Sequence, residues 1–354
     1  MTGIILINKY FFKEFFMKKA VLFIVVLSMV AVVFTGCKKK EAAEAKVFRL
    51  SHGQAQDSEI GATIAYIHDL VQKDKTQGLD IEVYASGVLG TERENIEMVK
   101  TGFLDMAKIS ANSLGQFDDR FTIFSLPYLF TGQEHYYEAL AKSEEIKKLF
   151  DDNNSEGFVA IGYYANGSRS FYLKENIAVT SPTVLRGKKI RSMSNTASMN
   201  MIEAMGGSPV PMNADETYTA LQQGVVDGAE NTELALTVNK HNEICRSYTY
   251  TEHQYTPDIY IISTKAWNAL SKGQQNYLKD AFVTLNANFT KEYNRMMAEA
   301  IEQSEKVGMT IYRNIDKRVF IQAVQPLHKA FIEKGDKYKV LYEDIQKYAP
   351  KGNN

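Results

Sequence analysis

The sequence predicts an α/β fold. Three observations carry that expectation: short apolar strands alternate with amphipathic helices from residue 47 onward, glycines and capping residues punctuate the alternation, and one helical stripe of about six turns follows near the C-terminus. The chain has 354 residues, 45% hydrophobic and 23% charged, enough to bury a large core and to divide into about two domains. A formal charge of −1 excludes the basic field a nucleic-acid binder needs. Two cysteines exclude a disulfide scaffold and a four-thiolate zinc site.

The first forty residues read as targeting rather than fold. Met17-Lys18-Lys19 opens a basic patch, the apolar run Ala20 to Phe34 follows with only Ser28 interrupting it, and Thr35-Gly36 precedes Cys37. A charged start, a short apolar run and a small-residue exit make a secretory signal over residues 1–36, with Met17 as the expected initiator. An uncleaved signal anchor is the alternative, although the run falls short of the roughly 20 apolar residues of a membrane span. Thr-Gly-Cys resembles a bacterial lipobox, cut before Cys37, which is then acylated; the family usually has leucine where this chain has Phe34. Cleavage there removes four lysines and one glutamate, leaving 318 residues with formal charge −4. Residues 37–46 have no apolar face and read as a lipidated tether. Cys245 is then left without a partner and reads as a small buried apolar residue.

Residues 47–52 (VFRLSH) form a short extended run, and Ile60, Ile64, Ile67 and Val71 recur at helical spacing until Gly78. Residues 80–84 (DIEVY) alternate like a strand, a helix follows over Glu92 to Lys100, and a strand near Asp105 to Ile109. Residues 157–164 (GFVAIGYY) read as a buried strand, 187–191 (GKKIR) as another, and Thr196 to Met205 as a helix ending at Gly206-Gly207. Asn213 is placed to cap the next helix, with Glu216 as its capping-box partner, Gly224 at its end, and a short strand starting at Val225-Val226. Repeated βα units predict largely parallel sheets, whose ligands sit at the carboxyl ends of strands. Leu278, Phe282, Leu285, Phe289, Tyr293, Met296 and Ala300 form the long stripe. Its aromatics are bulky for a coiled-coil seam, which favours a helix lying across the back of the fold. Without a Gly-, Pro- or Ser-rich linker, crossings between lobes must be short.

Catalytic and cofactor motifs are scarce. The sequence has no GxxxxGK, GxGxxG, HExxH, CxxC or GxSxG pattern, so no cofactor and no metal is expected. His241 and Cys245, four apart, offer only a weak two-ligand pairing and read as core or surface residues. A dispersed Ser-His-Asp triad is defined in space, not in sequence, and stays open. What remains is polar groups at strand ends: Arg169 after the strand 157–164, Arg191 closing GKKIR, and Asn231 after VVDGAE (225–230). Guanidinium matches carboxylate through two parallel hydrogen bonds, so these groups could converge on one small anion; each arginine could equally form an ordinary ion pair.

Pro127-Tyr128-Leu129-Phe130, NGSR (166–169), GKKIRS (187–192), GSPVPM (207–212), ETYTALQ (216–222) and VVDGAEN (225–231) together resemble the DctP-type substrate-binding proteins of TRAP transporters, over roughly residues 47 to 345. The resemblance implies a two-lobed periplasmic binding protein (Venus-flytrap) fold with a long helix spanning both lobes: 47–166 plus about 257–297 as the first, 167–256 plus about 298–354 as the second. It implies no enzyme but a receptor that captures an organic acid, a sugar acid such as a uronate or aldonate before a dicarboxylate, and delivers it to membrane permease subunits. In that family the arginine at the position of Arg191 clamps the substrate carboxylate, Arg169 matches a second ligand-binding arginine, and Asn231 a polar contact. Ser51, His52, Ser110, Asn213 and Tyr218 are carried over as cleft-lining positions. The expected protein is a monomeric, membrane-anchored lipoprotein of the periplasm or cell envelope. An extracytoplasmic hydrolase, or a binding subunit serving a sensor, is the alternative.

Overall fold

The structure, a computed structural model, describes residues 45–152 and 156–350; the signal peptide, Cys37 and nearly all of the tether lie outside them. The described residues from 47 onward form one compact unit built on two sheets. The first has the order β2-β1-β3-β10-β4, from β1 (Lys46–Ser51), β2 (Leu79–Tyr84), β3 (Met106–Ser110), β4 (Phe158–Tyr164) and β10 (Asp258–Ser263). The second has the order β11-β9-β5-β8-β6-β7, from β5 (Ser168–Leu173), β6 (Lys189–Ser192), β7 (Ser208–Pro211), β8 (Gly228–Asn231), β9 (Ser247–Tyr255) and β11 (Thr310–Tyr312).

The sheets are mixed rather than largely parallel. Strands β1 and β3 pair in parallel, as do β6 with both β7 and β8, but β10 runs antiparallel to β3 and β4, and β5 antiparallel to β8 and β9. The cause is the pair of crossings. The chain passes from β4 to β5 through residues 165–167 and from β9 to β10 through residues 256–257, with no helix between, so each strand enters its new sheet against the local direction.

Helices cover the sheets where the sequence places caps. Helix α1 (Glu59–Gln72) starts on Ser58, whose hydroxyl accepts from Gly61 N–H, and buries Ile60, Ile64, Ile67 and Val71. Gly78, in the left-handed region at φ 62°, ends a separate 3₁₀ turn rather than α1 itself. Helix α2 (Glu92–Thr101) opens on a Thr91–Glu94 capping box. Helices α3 (Gln133–Lys142) and α4 (Glu144–Asp151) follow in the first lobe, α5 (Thr196–Ala204) and α6 (Thr217–Gln223) in the second. Only half of the expected Asn213 capping box forms: Asn213 N–H donates to Glu216 Oε2 at 2.8 Å, but α6 begins after Glu216, which caps it without a side-chain bond. Val225 and Val226 precede β8 rather than opening it.

Helix α7 (Lys272–Lys306) is capped by a Ser271–Gln274 box and runs for 35 residues. All seven stripe residues are buried. Leu278 to Ala300 belong to the first sheet's core with Phe48, Leu50 and Ile262, whereas Ile301 joins the second sheet's core with Tyr172, Leu221 and Tyr248. One helix therefore serves both lobes. Helix α8 (Arg318–Ile332) does likewise: Phe320 and Val324 pack on the second lobe, Phe331 on the first. Helix α9 (Asp336–Gln346) buries Tyr338, Leu341 and Ile345 among Phe121, Tyr136 and Leu149, so the segment assigned from sequence to the second lobe returns to the first after about residue 330.

The closeness of α7 depends on two glycines. A Cβ on Gly162 of β4 would lie 2.5 Å from Phe282 Cβ, and one on Gly167, at the crossing, 2.7 Å from Met297 Sδ and 3.0 Å from Tyr293 Cε1. Gly162→Ala should therefore destabilise the protein by about 1–3 kcal/mol through overpacking. Chemical denaturation measures this; an unchanged midpoint would show that α7 does not bear on β4 at that point.

Candidate functional site

The edges of the two sheets enclose a cleft of about 500 Å³, within the range of small-molecule sites. The second lobe contributes Arg169, Arg191 and Asn231 to its wall. Arg191 is the third residue of β6 and Asn231 the last of β8, parallel strands in which Arg191 stands level with Ala229. Arg169 reaches the same edge differently. It sits at the start of β5, not at the end of the preceding strand, and antiparallel pairing of Ser170 with Asn231 brings it there.

The two arginines are not equivalent. Arg169 is held by Glu230: Nε donates to Oε2 at 2.6 Å and Nη2 to Oε1 at 2.8 Å, while Nη1 donates to Asn231 Oδ1 at 2.8 Å. Burial alone would raise the Glu230 carboxyl, but Arg169, and then His253 with Nε2 at 3.6 Å, outweigh it and hold the pKa down at about 2. Arg191 is 5% exposed and makes no ion pair among the described residues; its one hydrogen bond runs from Nη2 to the Met212 carbonyl at 2.9 Å, and its buried Nε has no partner. Burial lowers its pKa, the Arg169 charge adds to that, and Glu230 opposes both. A guanidinium remains charged under these conditions, so Arg191 is a desolvated cation without an ion pair among the described residues. Asn231 spends its oxygen on Arg169 and on Thr232 N–H at 2.9 Å, which leaves its amide donors without a partner among the described residues.

The first lobe presents a different wall. Lys108 of β3, 2% exposed, donates to Asp258 Oδ2 at 2.6 Å and to Tyr164 Oη at 2.9 Å. Glu92, the first residue of α2, accepts from Ser110 N–H at 3.1 Å and Ser113 Oγ at 2.5 Å. At the rim, Gln116 Nε2 donates to the Ser194 carbonyl across the cleft at 3.0 Å.

Of the carried-over positions, Ser110 and Asn213 line the cleft. Ser51 and His52 do not: both are buried at the end of β1, and Gly53 and Gln54, one step further on, reach the wall instead. His52 Nδ1 accepts from Gln54 N–H at 3.1 Å, and burial, with help from Lys108, pushes its pKa down to about 3, so it is neutral. Tyr218 lies off the wall and donates to Glu243 Oε2 at 2.8 Å. His241 is buried against Tyr172 Oη at 2.8 Å, Cys245 is a free buried thiol whose pKa burial raises to about 12, and no cluster of three metal-ligating side chains occurs among the described residues. Glu92, Lys108 and Asp258 were missed from sequence. For Lys108 and Asp258 the available signal was a lone charge in an apolar strand, as in MAKIS (106–110) and DIYIIS (258–263); Glu92, at a helix start, had none.

The Arg169–Glu230 pair yields a prediction with a definite sign. Glu230 is depressed from its ordinary 4.5 to about 2, so its contribution is complete above pH 4.5 and disappears as pH falls toward 2. Glu230→Gln strands a buried guanidinium and should cost about 3–5 kcal/mol near neutral pH. Denaturation of both proteins across pH should show the gap closing between pH 4.5 and 2; a gap independent of pH would contradict the pairing.

Comparison with known proteins agrees with this geometry. Residues 50–334 match the DctP family model, bacterial extracellular solute-binding protein, family 7. The protein YiiZ of Salmonella typhimurium is 34% identical over 287 residues, covering 79% of this chain and 86% of that protein. A TRAP periplasmic solute-binding protein of Anaerococcus prevotii, solved with bound α/β-D-glucuronate, superposes with a TM-score of 0.81 at 34% identity, covering 86% of this chain and 98% of the other. One from Xanthobacter autotrophicus, solved with β-D-galacturonate, has a TM-score of 0.79 at 28% identity, covering 85% and 99%. On the family match, the 34% identical relative and the shared two-lobed fold, the chain belongs to the DctP family of extracellular solute-binding proteins, the periplasmic receptors that bind small carboxylates for TRAP membrane permeases.

Proposed function

We propose that the cleft captures a sugar acid with a single carboxylate, a uronate before an aldonate, and that Arg191 is its clamp. The carrying observation is the charge state of the wall. Among the described lining residues, Arg169 and Lys108 are matched to Glu230 and Asp258, and Arg93 to Glu97, which leaves Arg191 as the one cation without a carboxylate. A dicarboxylate would need two such cations. A single carboxylate on Arg191, with hydroxyls directed to Asn231 and to the polar first-lobe wall, satisfies the cleft with what it has. Uronates bound to the Anaerococcus and Xanthobacter proteins support the same reading.

Capture then proceeds as population shift. Ligand held by Arg191 on one lobe and by first-lobe groups on the other stabilises the closed state, and the two short crossings with α7 are the elements about which the lobes move. The chain performs no chemistry on its cargo. It works as a monomer, held at the membrane through acylated Cys37 after cleavage of residues 1–36, and transfers the ligand to the permease.

A thermal-shift panel of uronates, aldonates, dicarboxylates and keto acids should give the largest stabilisation with D-glucuronate or D-galacturonate, by about 2.7 kcal/mol at a hundredfold excess over Kd. A larger shift with succinate or a keto acid would overturn the sugar-acid reading. By calorimetry, Arg191→Ala should weaken binding at least about tenfold, since each hydrogen bond to a charged group is worth about 1.5–3 kcal/mol; unchanged affinity would remove Arg191 from the site. Cys37→Ser should move the protein from the membrane fraction to the soluble one. A wild-type protein already soluble would contradict the anchor.

A further inference from the structure

Opposite Arg191 the first lobe carries a carboxyl group that no cation pairs among the described residues. Glu92 lines the cleft, makes no ion pair among the described residues, and is fixed by two donors of its own lobe, Ser110 N–H at 3.1 Å and Ser113 Oγ at 2.5 Å. Burial, and then the neighbouring Asp258, raise its pKa above the ordinary carboxylate value, against Lys108 and the two donors, which lower it. Thr91 and Glu94 already cap α2, and Lys108 already balances Asp258. Each carboxylate oxygen has further acceptor capacity beyond the bond it makes. Glu92 and Arg191 also feel each other electrostatically: the Glu92 charge supports that of Arg191 across the cleft. The cleft thus has a guanidinium without an ion pair on the second lobe facing, on the first, a carboxyl group that no cation pairs among the described residues.

We propose that Glu92 determines specificity, accepting hydrogen bonds from hydroxyls of the ligand whose carboxylate lies on Arg191 and repelling any ligand that carries a second carboxylate at its far end. This rests on the sugar-acid reading above. Hydroxyl donors at the far end satisfy Glu92 without adding charge, whereas a carboxylate there places two anions in a desolvated space with no free cation between them. The arrangement selects against a dicarboxylate as much as it selects for a polyol, so removing the Glu92 charge should raise the binding of one acid while it lowers that of the other.

The experiment is calorimetry of wild type, Glu92→Gln and Glu92→Asp with D-glucuronate and with D-glucarate, which bears hydroxyls and a second carboxylate on a chain of the same length. Melting curves confirm that each variant is folded; glutamine keeps the shape and the acceptor for Ser110 N–H. Wild type should prefer glucuronate. Glu92→Gln should weaken glucuronate about tenfold while glucarate gains, so that their ratio falls by more than tenfold. Glu92→Asp, which keeps the charge, should keep the rejection of glucarate. A Glu92→Gln protein with both affinities unchanged, with both reduced in equal proportion, or with glucarate still undetected overturns the assignment of Glu92 alone. A wild type that binds neither uronate nor aldonate overturns the sugar-acid reading, and the Glu92 proposal with it.

Discussion

A guanidinium buried without a counter-ion is the constraint around which the site is arranged. Arg191 is 5% exposed and holds one backbone carbonyl, and Glu230 supports its charge without forming an ion pair with it. Glu230 lies close enough to have met that need, but Arg169 occupies both of its oxygens. The two arginines therefore differ: Arg169 is paired with Glu230, whereas Arg191 makes no ion pair among the described residues. On the proposed function, a carboxylate held by Arg191 offsets the arginine's desolvation on binding.

The topology delivers these groups to one edge. Antiparallel β5 carries Arg169 in from its start while parallel β6 and β8 carry Arg191 and Asn231 out at their ends. That inversion exists because the chain changes sheets at residues 165–167 without a helical return. The same crossings are short, and α7 is built into both cores.

Much of the fold was legible in the sequence. The long stripe, the strand runs and most caps were marked by spacing and by residue type, and Leu278 to Ala300 are buried as their period required. Strand direction was not legible, since alternation reports faces and not neighbours. Nor was the destination of the last helix: Tyr338, Leu341 and Ile345 mark an apolar face but carry no sign of which lobe it covers. In the site, Arg191 and Asn231 stood out through motif and strand end, whereas Ser51 and His52 were misplaced by one turn of a loop and Tyr218 by the direction of a short helix. Glu92 was hidden because a glutamate at the start of a helix is ordinary; only the cleft around it gives it significance.

The most direct measurement is a crystal structure with D-glucuronate bound. The account predicts the ligand carboxylate on the Arg191 guanidinium in a two-bond pair at about 2.7–2.9 Å, with Arg169 still held by Glu230. A carboxylate on Arg169 with Glu230 displaced, or one anchored on Lys108, would contradict it.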